Sequence, residues 1–259
     1  MGGAVLDLWR GVVRWRDWSK MAIQDIDLRY RRSLFGPFWI SASVVALILS
    51  LAYLYSAIFK QPFETYLPYL AFGYMAWALI LGVVSDSATS ALEHEGYLRN
   101  LPLPLSFIAG RIALRNAIIF LHNLVAVSVI LYLFGHRYEV VALQVLLGAW
   151  LIIAIGYCAV LILGPVCARF RDVQQLVMSA MQLVFFLTPI FWMPEHAGPR
   201  SVFVEANPFY HLIELVRAPM LGAPADLRHW IFSFWILGAA FVMALVSVSL
   251  TRRRVALWI

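Results

Sequence analysis

Six runs of twenty or more mostly apolar residues limit what this chain can fold into more than any other feature does. A helix needs about 20 such residues to cross the hydrocarbon core of a bilayer. The runs extend from Gly36 to Phe59, Leu67 to Leu92, Ser106 to Phe134, Val140 to Ala168, Val173 to Met193 and His229 to Thr251. Arg111, Arg115, His122 and Asn123 interrupt the third, which places its apolar core from near Ala117 onward. Of the 259 residues 63% are apolar and 13% charged, whereas a water-soluble domain carries about 45–50% and about 25%. The expected fold is therefore an all-α integral membrane protein with six transmembrane helices. No cleavable signal peptide is read, because the first 35 residues are rich in charge and no A-x-A-like site follows the first run.

Lysine and arginine concentrate on the cytoplasmic side of membrane proteins, and an even number of spans puts both termini on one side. Fifteen of these residues lie before the first span, between the second and third, between the fourth and fifth, or after the sixth. The remaining five, Lys60, Arg137, Arg200, Arg217 and Arg228, lie in the other connections. Both termini are thus expected in the cytoplasm. The net charge of +6 is accounted for by topology, which leaves nucleic acid without support as a partner.

The segments outside the spans divide the chain into residues 1–35, read as an amphipathic interface helix, and 36–259, the six-span domain. In the first, Val5, Leu8, Trp9, Val12, Trp15, Trp18, Ala22 and Ile26 recur at helical spacing, and three indoles suit the headgroup layer. Such a helix is either a lipid anchor or a cuff that meets a cytoplasmic partner. Arg29, Arg31 and Arg32 precede the first span; they are either ordinary basic flanking or a forked grip on a phosphate or pyrophosphate. The coupling loop, about 93–105, combines Glu93, Glu95, Tyr97 and Arg99 with Leu98, Leu101, Leu103 and two prolines, a docking composition rather than a merely soluble one. From about 194 to 228 the chain is too apolar for a free loop. Asn207 can cap a helix with Pro208 in its first turn. Phe209, Leu212, Ile213, Val216 and Met220 then share one face, with His211, Glu214 and Arg217 on another. Short re-entrant helices in the outer leaflet suit this pattern.

Catalytic signatures are missing. The only lysines, Lys20 and Lys60, lie outside any G-x-x-x-x-G-K-[ST] loop, and neither H-E-x-x-H nor G-x-S-x-G occurs. No cofactor or metal is expected in this chain. Cys158 and Cys167 read as small buried hydrophobes. Asp25 and Asp27 could serve as metal ligands of a transferase acting on polyprenyl-linked sugars, although two acids on an interfacial helix are more simply its solvated face. Asp86 is the one carboxylate inside a span, near its cytoplasmic end among Ser85, Ser87, Thr89 and Ser90.

Two stripes suggest a conduit. On the first span Trp39, Ser43, Ala46, Ser50, Tyr53 and Ala57 alternate at intervals of four and three, read as opposite Leu47, Leu51, Leu54 and Ile58. On the fifth Gln175, Ser179, Gln182, Phe186 and Pro189 do the same. Aromatic faces and hydroxyl or amide groups can pass sugars along; the same residue types also make helix packing seams.

The run Arg29-Tyr30-Arg31-Arg32-Ser33-Leu34-Phe35-Gly36-Pro37-Phe38-Trp39 resembles the entry to the first span in membrane subunits of ABC type-2 polysaccharide exporters. Arg171-Asp172-Val173, Phe186-Leu187-Thr188-Pro189-Ile190-Phe191-Trp192 and Asn207-Pro208-Phe209-Tyr210 resemble that family's fifth span and outer helices. The likeness covers nearly the whole chain and is nearest to O-antigen permeases. It implies a six-span permease of the bacterial inner membrane that is not itself an enzyme and that works as a homodimer. Two copies of a P-loop ATPase subunit, carrying ATP and Mg, would dock on the loop between the second and third spans. The cargo implied is a lipid-linked polysaccharide: O-antigen on undecaprenyl pyrophosphate, capsule or teichoic acid.

Overall fold

The computed structural model describes residues 2–30, 38–100, 103–137, 139–195, 198, 201–252 and 254–258. Its elements are all helical: α1 (Gly2–Val13), α2 (Trp15–Tyr30), α3 (Phe38–Ile58), α4 (Phe63–Glu93), α5 (Glu95–Asn100), α6 (Leu105–Leu133), α7 (Ala142–Arg169), α8 (Asp172–Leu187), α9 (Ser201–Glu205), α10 (Pro208–Met220), α11 (Leu227–Thr251) and α12 (Val255–Trp258). Among the described residues five helices, α3, α4, α6, α7 and α11, are long and apolar enough to cross a membrane. α8, with 16 residues, is not.

The fifth apolar run therefore does not form one helix as far as Met193. It stops at Leu187 because Pro189 disfavours helical geometry at the residue before it, and Thr188 is extended (φ −96°, ψ 137°). The third run departs from expectation in the other direction. α6 is continuous from Leu105, with Arg111 and Arg115 inside it, because both guanidiniums are neutralised by carboxylates of neighbouring helices.

α4 is the hub, packed against α3, α6, α7, α8 and α10 and buried on most of its circumference. Small residues let its neighbours approach, the usual basis of helix packing where lipid offers no hydrophobic contrast. A Cβ on Gly148 of α7 would lie 2.5 Å from the Leu215 carbonyl oxygen of α10, so these two helices meet at the backbone. Both cysteines are buried and free.

The N-terminal segment forms two helices, not one, with a turn at Arg14 where the Trp18 indole donates to the Gly11 carbonyl (3.0 Å). Its apolar stripe divides accordingly. Trp18 covers Gly110 and Ala22 is buried, with α2 packed on α6, whereas Val5, Trp9, Val12 and Trp15 point away from the protein. α1 is docked by Asp7, whose carboxylate accepts from the backbone N–H groups of Leu105 (3.3 Å) and Ser106 (3.1 Å). Pro104, at the start of α6, supplies no side-chain cap, so Asp7 satisfies two orphan donors and places its charge at the positive end of the helix. Arg252 donates to the Gly3 carbonyl (2.8 Å), and α12 packs on α5 and α7. The two chain ends, α1, α5 and α12 thus share one end of the bundle, here termed the terminal end.

At the opposite end α9, α10 and the turn after α8 gather. Asn207 caps α10 by accepting from Phe209 N–H (2.9 Å), with Pro208 in the first turn as the sequence indicated. The second face of α10 is not exposed, however. His211 and Arg217 are as buried as Leu212 and Ile213, because α10 lies against α4, α7 and α11 together. It reaches deep: Arg217 meets Gly73, ten residues into α4, about 15 Å along its axis.

Candidate functional site

Three regions carry the side chains that a transporter would use. The first is a groove of about 470 Å³ bounded by α3, α4 and α8 and lined by Gln175, Ser179, Gln182 and Phe186, with Trp77 and Tyr74 of α4 between the two walls. All four α8 residues are exposed, so the stripe read from the sequence is an open wall and not a seam within this chain. The α3 wall is made by Leu47 and Leu51. Trp39, Ser43, Ser50 and Tyr53 are also exposed, Tyr53 at 78%, but they lie on the far side of α3, outside this groove. The packed side of α3 runs through Ile48 and Ala52, and at about 100° per residue the hydroxyl and aromatic stripe falls opposite that side, with Leu47, Leu51, Leu54 and Ile58 roughly a quarter turn from the stripe. The leucines therefore flank the stripe and do not oppose it. The Ser50 hydroxyl is turned back onto the Ala46 carbonyl (2.7 Å).

The second region is a charged cluster at the terminal end. Arg111 forks onto Asp25 of α2 through Nε (2.7 Å) and Nη2 (2.5 Å). Arg115 bridges Asp25 (3.5 Å) and Asp86 of α4 (2.8 Å), and Asn116 donates to Asp86 (2.6 Å). Arg111 also stands over the Tyr97 ring of α5, 5.6 Å from its centroid. Tyr97 in turn neighbours His94 (rings 6.2 Å apart), a buried residue whose Nδ1 contacts the Ser90 carbonyl (2.8 Å). Burial holds the His94 pKa below its usual value, the Ser90 hydrogen bond opposes this, and Arg111 and Arg115 add to the lowering. α5 is thereby linked through one guanidinium to α2 and α6, and through the next to α4.

Of the residues singled out for coupling, Glu93 ends α4, Glu95 opens α5, and Tyr97 joins the cluster. The Arg99 side chain lies outside the described residues, as do the Arg29 side chain and all of Arg31 and Arg32. Asp25 is already engaged by two guanidiniums, while Asp27 is exposed. Among the described residues no group of three or more His, Cys, Asp or Glu could hold a metal.

The third region, missed in the sequence, is the turn after α8. Non-helical backbone inside a membrane protein must find its hydrogen bonds within the protein. Arg217 donates to the Pro189 carbonyl (2.7 Å), Tyr66 to that of Phe191, and Tyr69 to that of Trp192 (3.2 Å). The Arg217 guanidinium is paired with Glu214 and stacked 4.1 Å from the Tyr69 ring centroid. Asn207 donates to the Thr188 hydroxyl (2.9 Å). The available signal was an arginine three residues after a glutamate in an otherwise apolar helix, a pair that can neutralise itself on burial.

Residues 17–221 match the family model described as ABC-2 type transporter. The chain belongs to that family. Across 237 residues it is 21% identical to an O-antigen export system permease protein RfbA of Klebsiella pneumoniae, covering 88% of this chain and 87% of the relative. A Myxococcus xanthus protein of the same name is 22% identical over 202 residues, 75% of this chain and 76% of its own. A permease of this family is a transporter component, and the ABC-2 assignment implies pairing with an ATPase subunit.

Proposed function

We propose that this protein is the transmembrane subunit of an ATP-driven exporter that moves a lipid-linked cell-surface polysaccharide, O-antigen on undecaprenyl pyrophosphate, across the bacterial inner membrane. The reading is carried by the similarity to O-antigen export permeases over 88% of the chain. The groove supports it: amides, a hydroxyl and aromatic faces on α8 suit a sugar chain that must be touched everywhere and held nowhere. Capsule or teichoic acid would use the same surfaces. In this reading α8 and the turn to Met193 together make a sixth crossing, with the turn's carbonyls satisfied by Tyr66, Tyr69 and Arg217. α9 and α10 are the re-entrant outer helices, and the terminal end is cytoplasmic. Two copies face each other across their grooves, and Trp39, Ser43, Ser50 and Tyr53 complete the conduit from the dimer side. Arg29, Arg31 and Arg32 receive the pyrophosphate at its entrance.

α5 is where a P-loop ATPase would push. Tyr97 and Arg111 would pass the displacement to α2 and α6, and Arg115 and Asp86 to α4. The test is to co-express the chain with its partner ATPase and compare wild type with the Glu93→Lys/Glu95→Lys variant. The wild-type complex is expected to hydrolyse ATP and export glycan, and the double reversal to lose docking or to hydrolyse without export. Normal export by the double reversal would remove α5 from the coupling path. ATP hydrolysis or sugar transfer by the purified chain alone would overturn the assignment.

A further inference from the structure

The last turns of α7 and α11 and the chain beyond α11 enclose a cleft of about 760 Å³ that the export reading does not use. Its charged lining is three guanidiniums, Arg169, Arg252 and Arg254, and among the described residues no carboxylate lines it; the hydroxyls of Ser249 and Thr251, also in the lining, donate to backbone carbonyls of α11. The charge balance is decisive. Two helix C-termini contribute about half a negative charge each, which leaves, among the described residues, an excess of about two positive charges in the cleft. Arg169 is positioned by aromatic faces rather than by an acid, lying 5.3 Å from the Phe170 ring centroid and 5.1 Å from that of Trp258. Arg252 spends one Nη on the Gly3 carbonyl.

Most of the remaining wall, Pro165, Val166, Phe170, Leu250 and Trp258, is apolar and identifies the occupant. Val166 and Leu250 lie in the final turns of apolar spans and are exposed, Leu250 at 68%. The cleft therefore opens sideways at the depth of the lipid headgroups, not only toward water. A ligand that complements it carries phosphate at one end and hydrocarbon at the other. Basic pockets between spans on the cytoplasmic side bind such headgroups.

We propose that this cleft binds the phosphodiester headgroup of an anionic phospholipid, with its acyl chains running past Val166 and Leu250. The orientation proposed above decides only which leaflet supplies the lipid. Binding itself depends neither on the ATPase nor on the glycan, so the test below can fail while the export reading stands, and the reverse.

The full-length chain in detergent is titrated with phosphatidylglycerol or phosphatidylcholine and observed by native mass spectrometry. Phosphatidylglycerol adducts are expected to dominate. The Arg169→Gln/Arg254→Gln variant should weaken them about thirtyfold, the contribution of two arginines at a membrane surface. Arg228→Gln, remote from the cleft at the start of α11, should leave them unchanged. Leu250→Trp crowds the apolar wall while keeping every guanidinium, so it should also reduce lipid adducts and serves if the double variant does not fold. Equal retention of the two lipids, or undiminished phosphatidylglycerol binding in both cleft variants, would overturn the proposal. Displacement of the lipid by millimolar inorganic phosphate would reassign the cleft to free phosphate, and loss of ATPase docking with lipid binding intact would reassign it to a protein surface; either result also overturns it.

Discussion

The two ends of the bundle use buried polar groups in different ways. At the α10 end Arg217, 1% exposed, serves a broken stretch of backbone: its hydrogen bonds, with those of Tyr66 and Tyr69, stand in for the helix that Pro189 interrupts. At the terminal end Arg111 and Arg115 serve no backbone among the described residues. They tie the carboxylates of two other helices, and Asp86 keeps 27% of its side chain exposed. An arginine that fills missing backbone hydrogen bonds has a single workable arrangement. A chain of guanidiniums and carboxylates shared among α2, α4 and α6 can exchange partners as those helices shift. The first construction suits a fixed lid, and the second suits a part that transmits movement.

Variants can break this contrast. The largest effect is expected from Arg217→Met, which leaves the half-buried Glu214 uncompensated and the Pro189 carbonyl without its donor. Removing one partner of such a pair costs about 3–5 kcal/mol, so the variant should be nearly absent from membranes or melt far below wild type. A wild-type melting temperature would mean that the turn holds itself. Next, Ser179→Trp should block the groove and abolish export of long glycans while the ATPase complex still assembles. Ser50→Trp, outside the groove on α3, separates the two walls: equal loss from both variants places the α3 stripe in the conduit as well, and loss from Ser179→Trp alone assigns the path to α8. Asp25→Asn should be milder, about 1.5–3 kcal/mol for hydrogen bonds to a charged group. It should appear as faster proteolysis of residues 2–30 with the spans intact, and combining it with Arg111→Gln should add little. Additive effects would show that the two residues do not act as a pair.

The smallest effect concerns His94. Its lowered pKa means that the folded protein keeps it neutral where the unfolded chain would protonate it. Stability from this site is therefore present above the ordinary histidine value of about 6.5 and is lost as the pH falls below it. Melting curves at pH 7.5 and pH 5.5 should show a drop that His94→Gln reduces, and an identical drop in the variant would assign the pH effect elsewhere.

Features that depend on neighbours along the chain were legible in the sequence. Apolar length located the five long helices, and Asn207-Pro208 announced the start of α10 with its capping bond. The Thr188-Pro189 step also carried its message, but the apolar run continued to Met193 and hid the end of the helix. Features that depend on distant partners were not legible. Nothing near Asp7 in the chain marks it as the cap of a helix that begins 98 residues later. Asp25 read as a solvated acid and Arg111 as an interruption of a span; each explains the other only once α2 lies on α6. The α8 stripe was found because an exposed helix face depends on helical period alone. Which α3 face would meet it depended on how α3 packs on α4, and that was out of reach.

The docking of α1 also sets an order of assembly. Asp7 is held by residues 105 and 106, and Gly3 by residue 252. During synthesis the first helix must therefore wait at the membrane surface until α6 has been made, and it is held at both points only when α11 is finished. Its exposed Val5, Trp9 and Val12 give it a place to wait. A chain cut short before α11 would keep the Asp7 contact and lose the Gly3 one, leaving the extreme N-terminus open to proteolysis and so distinguishable from a completed permease.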